Sequence, residues 1–569
     1  MTRLLPPACS ALRSLQLLGC ILLLLAGTAR GLAASPASHG MVASVHPLAT
    51  AAGLRVLRDG GNAVDAAVAV ALTLGVVDPA DSGIGGGCFM LIRRPDGSIA
   101  AIDGRETAPA AATRDMFLRD GKAAGELSQT GALAIGVPGE LAACAYALEH
   151  FGSRSLRQLI EPAAGLAEEG FPLDPFFVRR VRSALGGMAV FPETRAVFLG
   201  PDGLPPREGE RFHQPDLAAT YRHVAAEGAG WFYGGPFARK VEGWMKGHGG
   251  LIRAADFAAY QVGTPEPIRT TYRGCEVAGF PPPSSGGVHV AQILNVLEGF
   301  DLKSMPEGTR LHVIAEAMKL AFADRAYWLG DPAFAKVPRG LIDPAYARAL
   351  AARIDRERAT PVPGHGTPPA ADRALFGRHT THFSVADAAG NWVACTATIN
   401  TTFGSKVVIP GTGVVMNNEM DDFSIQPGAT NYFGLIGGEA NAVAPGKRPL
   451  SSMSPTIVSR GGRPILALGA AGGPTIISQV VLELVSLLDL EATPAEALRQ
   501  PRIHHQWSPD EIVAERGLPE KLRQELIARG HHLRGESSFG TSQIISQDPA
   551  TGLFSGAADP RAGGTAEGW

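Results

Sequence analysis

Residues 62–79, NAVDAAVAVALTLGVVDP, leave a helix almost no polar face. From Ala66 to Val77 the stretch holds only Ala, Val, Leu and Gly plus Thr73, so the helix it forms must be covered on most sides. Gly60-Gly61 just before it supplies a left-handed stop for a preceding helix over about 47–59, and Asn62 supplies the N-cap. A helix of this kind needs a large core around it. The chain has 569 residues, 45% hydrophobic and 18% charged, enough for one large core or two to three ordinary domains.

Around that helix the elements alternate. A strand is expected over 41–45. A hairpin follows the glycine-rich loop DSGIGGG, with strands either side of Pro95-Asp96-Gly97 and Arg105 at its exit. From about 127 to 350 amphipathic helical patterns dominate, separated by Gly and Pro. Residues 360–376, TPVPGHGTPPAADRALF, break the pattern with the composition of an exposed segment. Strands then return at 381–388, 392–399, GVVMNN, MSPTIVSR, RPILALGAA and a last pair near the C-terminus. Strands at both ends with helices between them predict one mixed core shared by the two halves, a two-layer sheet covered by helices.

The break leads directly into His379-Thr380-Thr381-His382. Asp387-Ala388-Ala389-Gly390-Asn391 is the turn of the hairpin that follows, with Phe383 and Val385 alternating on one arm and Val393, Cys395 and Ala397 on the other. Folding about Ala389 sets position 380 opposite 398, both threonines, with Cβ atoms roughly 5 Å apart. A threonine hydroxyl needs a base to act as a nucleophile. Its own α-amine, titrating at roughly pH 7.7–8.0 when free, serves if the preceding peptide bond is cut. The exposed segment ending at His379 provides a place for such a cut.

The motifs AIDGRETAP, PPPSSGGVHV, TTHFSVAD, INTTFG, NNEMDDFS and KRPLSSMSPTI, in this order, resemble those of the γ-glutamyltransferases, members of the N-terminal nucleophile hydrolases. The resemblance covers nearly the whole chain after its first residues. It implies an α+β fold, a four-layer αββα sandwich formed jointly by a large subunit (34–379) and a small subunit (380–569) cut from one precursor between His379 and Thr380. It makes Thr380 the nucleophile of both processing and catalysis, Thr398 its hydrogen-bonding partner, and Gly472 and Gly473 in GAAGGPTII the oxyanion-hole residues. For the zwitterionic end of the donor it implies Arg105 with Ser451 and Ser452 at the α-carboxylate, and Asp422, Glu419 and Asn400 at the α-ammonium. Glu419 stands where some members carry Gln. PGATNYFGLIGGE, residues 427–439, matches a lid loop, whose aromatic gate would be Tyr432 or, by position, Phe433. Cys88 departs from the family's usual glycine, and only local repacking is expected there.

The implied activity is transfer of the γ-glutamyl group of glutathione and related compounds to water or to amino acid and dipeptide acceptors, without cofactor or metal. The alternatives are a glutaryl-type β-lactam acylase on the same scaffold and an inactive binding homologue. The intact Thr380, Thr398, Gly472 and Gly473 set argues against the second. His379 and His382, three apart on a strand, point to opposite faces and do not suit zinc. A net charge of -3 without long basic runs argues against nucleic acid as a partner. Arg3, Arg13, the apolar run from Leu15 to Gly27 and the small residues after it read as a secretory signal over 1–33, hence a periplasmic or secreted protein, with membrane anchoring as the alternative. Of six cysteines, Cys9 and Cys20 fall in the signal. The other four, widely spaced, are expected as buried free thiols.

Overall fold

A computed structural model describes residues 34–369, 382–536 and 539–569. The expected signal segment, His379 and Thr380 therefore lie outside the described residues. Twelve strands make two six-stranded antiparallel sheets. The first is built from β1 (Gly40–Ser44), β2 (Gly87–Arg93), β3 (Ile99–Gly104), β6 (His382–Asp387), β7 (Trp392–Thr398) and β12 (Thr565–Gly568), in the order β12-β1-β6-β7-β2-β3. The second contains β4 (Ile268–Tyr272), β5 (Cys275–Gly279), β8 (Thr456–Arg460), β9 (Arg463–Ala471), β10 (Thr541–Gln547) and β11 (Phe554–Ala558), in the order β11-β10-β9-β8-β5-β4. Each sheet mixes strands from before and after position 380.

Strand alternation explains the layering. Met41, Ala43, Phe89, Leu91, Trp392 and Ala394 of the first sheet face Ile457, Ala467 and Ile545 of the second, forming the core between the sheets. Their neighbours Val42, Met90, Ile92, Phe383, Val385 and Val393 face outward into a helical layer. That layer includes α1 (Pro47–Arg58), α2 (Ala63–Val77) and α3 (Glu140–Phe151). On the far side α4 (Ser285–Leu297), α5 (Glu307–Trp328) and α6 (Thr475–Leu488) cover Val277, Val458, Leu468 and Ile544 of the second sheet. The result is helix, sheet, sheet, helix, the four-layer αββα sandwich that the resemblance implied.

The apolar helix behaves as its composition predicts: every residue of α2 is buried. Each fully buried Val or Leu contributes about 1.5–3 kcal/mol, which fixes this helix at the centre of its layer. Its N-terminus is capped twice. Asn62 Oδ1 accepts from the Val64 and Asp65 N–H groups, and Asp65 Oδ2 accepts from the Asn62 N–H in return. Asp387 Oδ2, at the turn of the β6–β7 hairpin, accepts from the Ala63 N–H at 2.9 Å and ties that hairpin to the helix.

Two expectations need correction. The region read as helical, 127–350, contains the β4–β5 hairpin. Its tight turn at Arg273-Gly274 has positive φ at both residues (49° and 73°), the turn geometry that matches strand twist, and Thr270-Thr271 supplies the β-branched arm. GVVMNN, read as a strand, forms only the two-residue strand Val415–Met416 before the chain turns into a 3-10 helix at Glu419–Asp422. The four described cysteines are buried and free, as expected. Among the described residues no helix is long and apolar enough to cross a membrane.

Candidate active site

The β6–β7 hairpin has the register expected from a turn centred on Ala389. His382 lies opposite Thr396, Phe383 opposite Cys395 and Ala386 opposite Trp392. Phe383 and Val385 face the outer helices, so His382, Ser384, Thr396 and Thr398 line the inner face, between the sheets. His382 joins two of them, with Nε2 at 2.8 Å from Ser384 Oγ and Nδ1 at 3.2 Å from Thr396 Oγ1. Burial lowers its pKa to about 3, so the ring is neutral and acts as a hydrogen-bonding strut.

Thr398 ends β7, buried, opposite Gly87. Its Oγ1 accepts from the Asn400 N–H at 2.7 Å, which leaves the hydroxyl hydrogen for a second partner. Asn400 holds a positive φ of 74° and donates through Nδ2 to the Asn418 carbonyl at 3.0 Å. The glycine-rich loop explains how the backbone fits here: a Cβ on Gly86 would lie 1.9 Å from the Thr398 carbonyl oxygen. Only a residue without a side chain allows that approach.

Arg105 leaves β3 into the same end of the sandwich and is fully buried. Its Nη1 is 2.7 Å from Glu419 Oε2, its Nη2 2.9 Å from Asp422 Oδ2, and its Nε 3.6 Å from Glu106 Oε2. Its backbone is fixed as well. The Arg105 N–H donates to Asp103 Oδ1 at 3.0 Å, and the Tyr260 hydroxyl donates to the Arg105 carbonyl at 2.6 Å. Arg448 anchors Asp103 from the other side at 2.7 Å. Burial opposes the Arg105 charge, but Glu419, Glu106 and Asp422 together outweigh it and hold its pKa above the ordinary value. Burial also pushes the Asp422 carboxyl up to about 6, an effect that Arg105 only partly offsets.

Ser451 and Ser452 precede β8 and are buried beside the PPPSSGG turn. Ser451 accepts through its carbonyl from the Ser285 N–H at 2.7 Å and donates its own N–H to the Pro283 carbonyl at 2.9 Å. The Arg325 Nη2 donates to Ser452 Oγ at 3.2 Å, and the Arg325 Nε to Ser285 Oγ at 2.9 Å. Arg325 has no place among the residues that the sequence singled out. The available signal was a lone arginine in the Ala- and aromatic-rich run LAFADRAYW of α5.

Gly472 and Gly473 follow β9 and open into α6, with φ of 129° and 58°. Their N–H groups therefore sit at the N-terminal end of a 14-residue helix, the end that favours negative charge. A Cβ on Gly473 would lie 2.6 Å from Phe433 Cδ1, so the lid aromatic packs directly on this glycine. Tyr432 beside it is 58% exposed. The lid is tied down by acidic groups of the site: the Tyr432 N–H donates to Asp421 Oδ2 at 2.9 Å, and Asn431 Nδ2 donates to Asp422 Oδ1 at 3.2 Å. Asn431, also unforeseen, braces the lid internally, its Oδ1 accepting from the Phe433 and Leu435 N–H groups. Beneath the lid, Arg325, Asp422, Asn431 and Leu435 line a pocket with about 20 Å³ of free space.

The structure thus brings together Arg105, Thr398, Asn400, Glu419, Asp422, Ser451, Ser452, Gly472, Gly473 and Phe433 at one end of the sandwich. His379 and Thr380 fall outside the described residues. Among the described residues, the buried group His312, Glu316 and His531 has a metal-site donor set. There the Lys319 ammonium already lies 2.9 Å from Glu316 Oε1 and neutralises it.

Two antiparallel sheets face to face between helical layers, with a threonine hairpin leading into their shared end, define an N-terminal nucleophile hydrolase. Within that class the family model for gamma-glutamyltranspeptidase matches residues 49–569, and the chain belongs to this family. It is 44% identical to the glutathione hydrolase proenzyme of Escherichia coli (strain K12), over 92% of this chain and 91% of that protein. It is 42% identical to the Acylase ACY 1 proenzyme of Pseudomonas sp. (strain SE83), over 93% of each. Among solved structures, the cephalosporin acylase of Bacillus halodurans superposes with a TM-score of 0.84 at 30% identity, covering 94% of this chain and 96% of that one.

Proposed function

We propose that the protein is a self-processing γ-glutamyltransferase that cleaves the γ-glutamyl bond of glutathione and related compounds and passes the acyl group to water or to amino acid and dipeptide acceptors. The observation that carries the reading is the pairing of one buried guanidinium, Arg105, with the two carboxylates Glu419 and Asp422. Opposite charges in that arrangement suit the zwitterionic end of a glutamyl donor: Arg105 with Ser451 and Ser452 for the α-carboxylate, Asp422, Glu419 and Asn400 for the α-ammonium.

Processing cuts the bond between His379 and Thr380 and yields a heterodimer of residues 34–379 and 380–569. The freed α-amine of Thr380 then takes the proton of its own hydroxyl as the oxygen attacks the donor's δ-carbonyl. Thr398 orients the hydroxyl and amine. The oxyanion of the tetrahedral intermediate accepts from the Gly472 and Gly473 N–H groups. Collapse expels the leaving amine, which takes the proton, and leaves a γ-glutamyl-threonine ester. Water or an acceptor amine resolves the ester by the reverse sequence. Phe433 on the lid keeps bulk water from it. The N-terminal segment 1–33 directs export to the periplasm or beyond.

The acylase reading is favoured by the acylase relative and is opposed by the two carboxylates, since a glutaryl group has no ammonium for them to hold. Mass spectrometry of the purified protein tests processing: two fragments, one beginning near residue 34 and one at Thr380, are expected, and one uncleaved, fully active chain overturns it. Rates on γ-glutamyl and glutaryl anilides separate the activities, with the γ-glutamyl substrate expected to be the faster. A Thr380→Ala variant should neither split nor turn over substrate.

A further inference from the structure

Gly472 and Gly473 carry the N–H groups assigned above to the oxyanion, yet nothing in the two residues themselves aims those groups. Without a Cβ, each peptide of a Gly-Gly pair has several orientations open to it. The positive φ values of 129° and 58° mark one unusual orientation out of these. What selects it must be the groups that the two peptides touch.

A trans peptide is planar and sets its carbonyl opposite the N–H of the next residue. The Ala471 carbonyl therefore aims the Gly472 N–H, and the Gly472 carbonyl aims the Gly473 N–H. Both carbonyls are held by side chains of α6. Gln479, buried, donates through Nε2 to the Ala471 carbonyl at 2.9 Å, and Thr475 Oγ1 lies 2.8 Å from the Gly472 carbonyl oxygen. Four positions apart, the two residues are neighbours on one helix face, with Nε2 3.1 Å from Oγ1. The same side chains meet the Phe539 carbonyl, at 2.9 Å from Nε2 and 2.6 Å from Oγ1. Two amide hydrogens and one hydroxyl hydrogen thus face three backbone carbonyls. The other end of the amide is fixed as well: Gln479 Oε1 accepts from Ser542 Oγ at 3.2 Å, which turns Nε2 toward the carbonyls. Gly472 packs directly on this group. A Cβ there would lie 2.4 Å from the Phe539 oxygen, 2.7 Å from Thr475 Oγ1 and 3.2 Å from Gln479 Nε2.

We infer that Gln479 and Thr475 are positioning residues of the oxyanion hole: by holding the carbonyls of Ala471 and Gly472 they turn the N–H groups of Gly472 and Gly473 to the opposite side, where the oxyanion forms. Each acts through a glycine peptide, and neither touches the donor. This rests on the γ-glutamyl reading of the site.

The test sets acylation against the binding of a ligand that forms no oxyanion. On protein processed to two chains, γ-glutamyl-4-nitroanilide gives the single-turnover acylation rate and L-glutamate, as competitive inhibitor, gives a Ki. Gln479→Leu should lower the acylation rate roughly tenfold or more, while the Ki for glutamate stays within about twofold. Thr475→Val, which removes the hydroxyl and keeps the shape, should lower the rate about threefold or more with the Ki again unchanged. Thr475→Ser, which keeps the hydroxyl, should retain more of the rate than Thr475→Val. A merely structural role would reduce the yield of folded protein, or weaken glutamate along with acylation. Wild-type acylation rates in both Gln479→Leu and Thr475→Val, or equal losses of rate and of glutamate affinity, would overturn the inference. Where Gln479→Leu fails to fold or process, the two variants at Thr475 carry the comparison, and equal acylation rates in them overturn it. Wild-type protein inert toward the anilide would be a different failure: it would overturn the γ-glutamyl reading, and the inference with it.

Discussion

The two faces of the β6–β7 hairpin share one backbone and differ in almost everything else. On the outer face Phe383, Val385, Val393, Cys395 and Ala397 are buried against the helical layer that contains α2. On the inner face Ala386, Trp392 and Ala394 are apolar near the turn, and His382, Ser384, Thr396 and Thr398 are polar at the other end. There the second sheet answers with Gly469, where a Cβ would lie 2.4 Å from His382 Nδ1. The difference separates stability from chemistry. The outer face is continuous apolar packing, whereas the inner face gives up apolar contact at one end for hydrogen bonds and for the backbone approach that a site needs.

Substitutions on the two faces should therefore fail in different ways. Phe383→Ala on the outer face should cost about 3–5 kcal/mol of stability, read as a lowered Tm, with kcat of the folded fraction unchanged. A fall in kcat larger than the loss of folded protein would break the separation. On the site side, Gly473→Ala puts a methyl into the Phe433 ring at a residue with φ of 58° and, on the proposed mechanism, displaces an oxyanion donor. It should lower kcat by roughly 10²–10³, about 2.7–4 kcal/mol, in steady-state assays.

Asp422→Asn should cost about 1.5–3 kcal/mol in kcat/KM for γ-glutamyl donors, and its pH profile sharpens the assignment. In the proposed site the ammonium binds the ionised carboxylate, and Asp422 takes up a proton as pH falls through about 6. The wild-type kcat/KM should therefore decline below that pH, while the Asn variant, with no charge to lose, should lack this limb. A limb near pH 6 that persists in the variant would assign it to another group. The smallest effect is expected at Tyr432, whose ring is mostly in solvent: Tyr432→Ala should change stability by no more than about 0.5 kcal/mol. Comparison with Phe433→Ala, whose ring covers Gly473, tests which aromatic guards the ester, the Phe433 variant being expected to hydrolyse it faster.

Much of this was readable along the chain because it depends on neighbours in sequence. The caps at Asn62 and Gly60, the burial of α2 and the hairpin register follow from local composition and from one turn cluster. The β4–β5 hairpin was lost among helical patterns because its strands are short and its turn, Arg273-Gly274, is not one of the usual Asn-Gly or Asp-Gly pairs. The site divides in the same way. Arg105, Glu419, Asp422, Ser451, Ser452, Gly472 and Gly473 were found through motifs. Arg325 and Asn431 were not, because within their own segments they look like a helix arginine and a loop asparagine.

The sequence by itself determined the periodicities, the turn that sets the register of β6 against β7, and the family whose chemistry those motifs carry. Only the tertiary structure decided that Arg105 is already claimed by two carboxylates more than 300 positions away, that Arg325 donates to the hydroxyls of Ser285 and Ser452, and that Phe433 lies on Gly473. Hydrogen-bonding periodicity acts over a few residues and is written in them. Charge balance and close packing are properties of groups brought together from distant segments, and they exist only once two sheets, each built from both halves of the chain, have closed on one another.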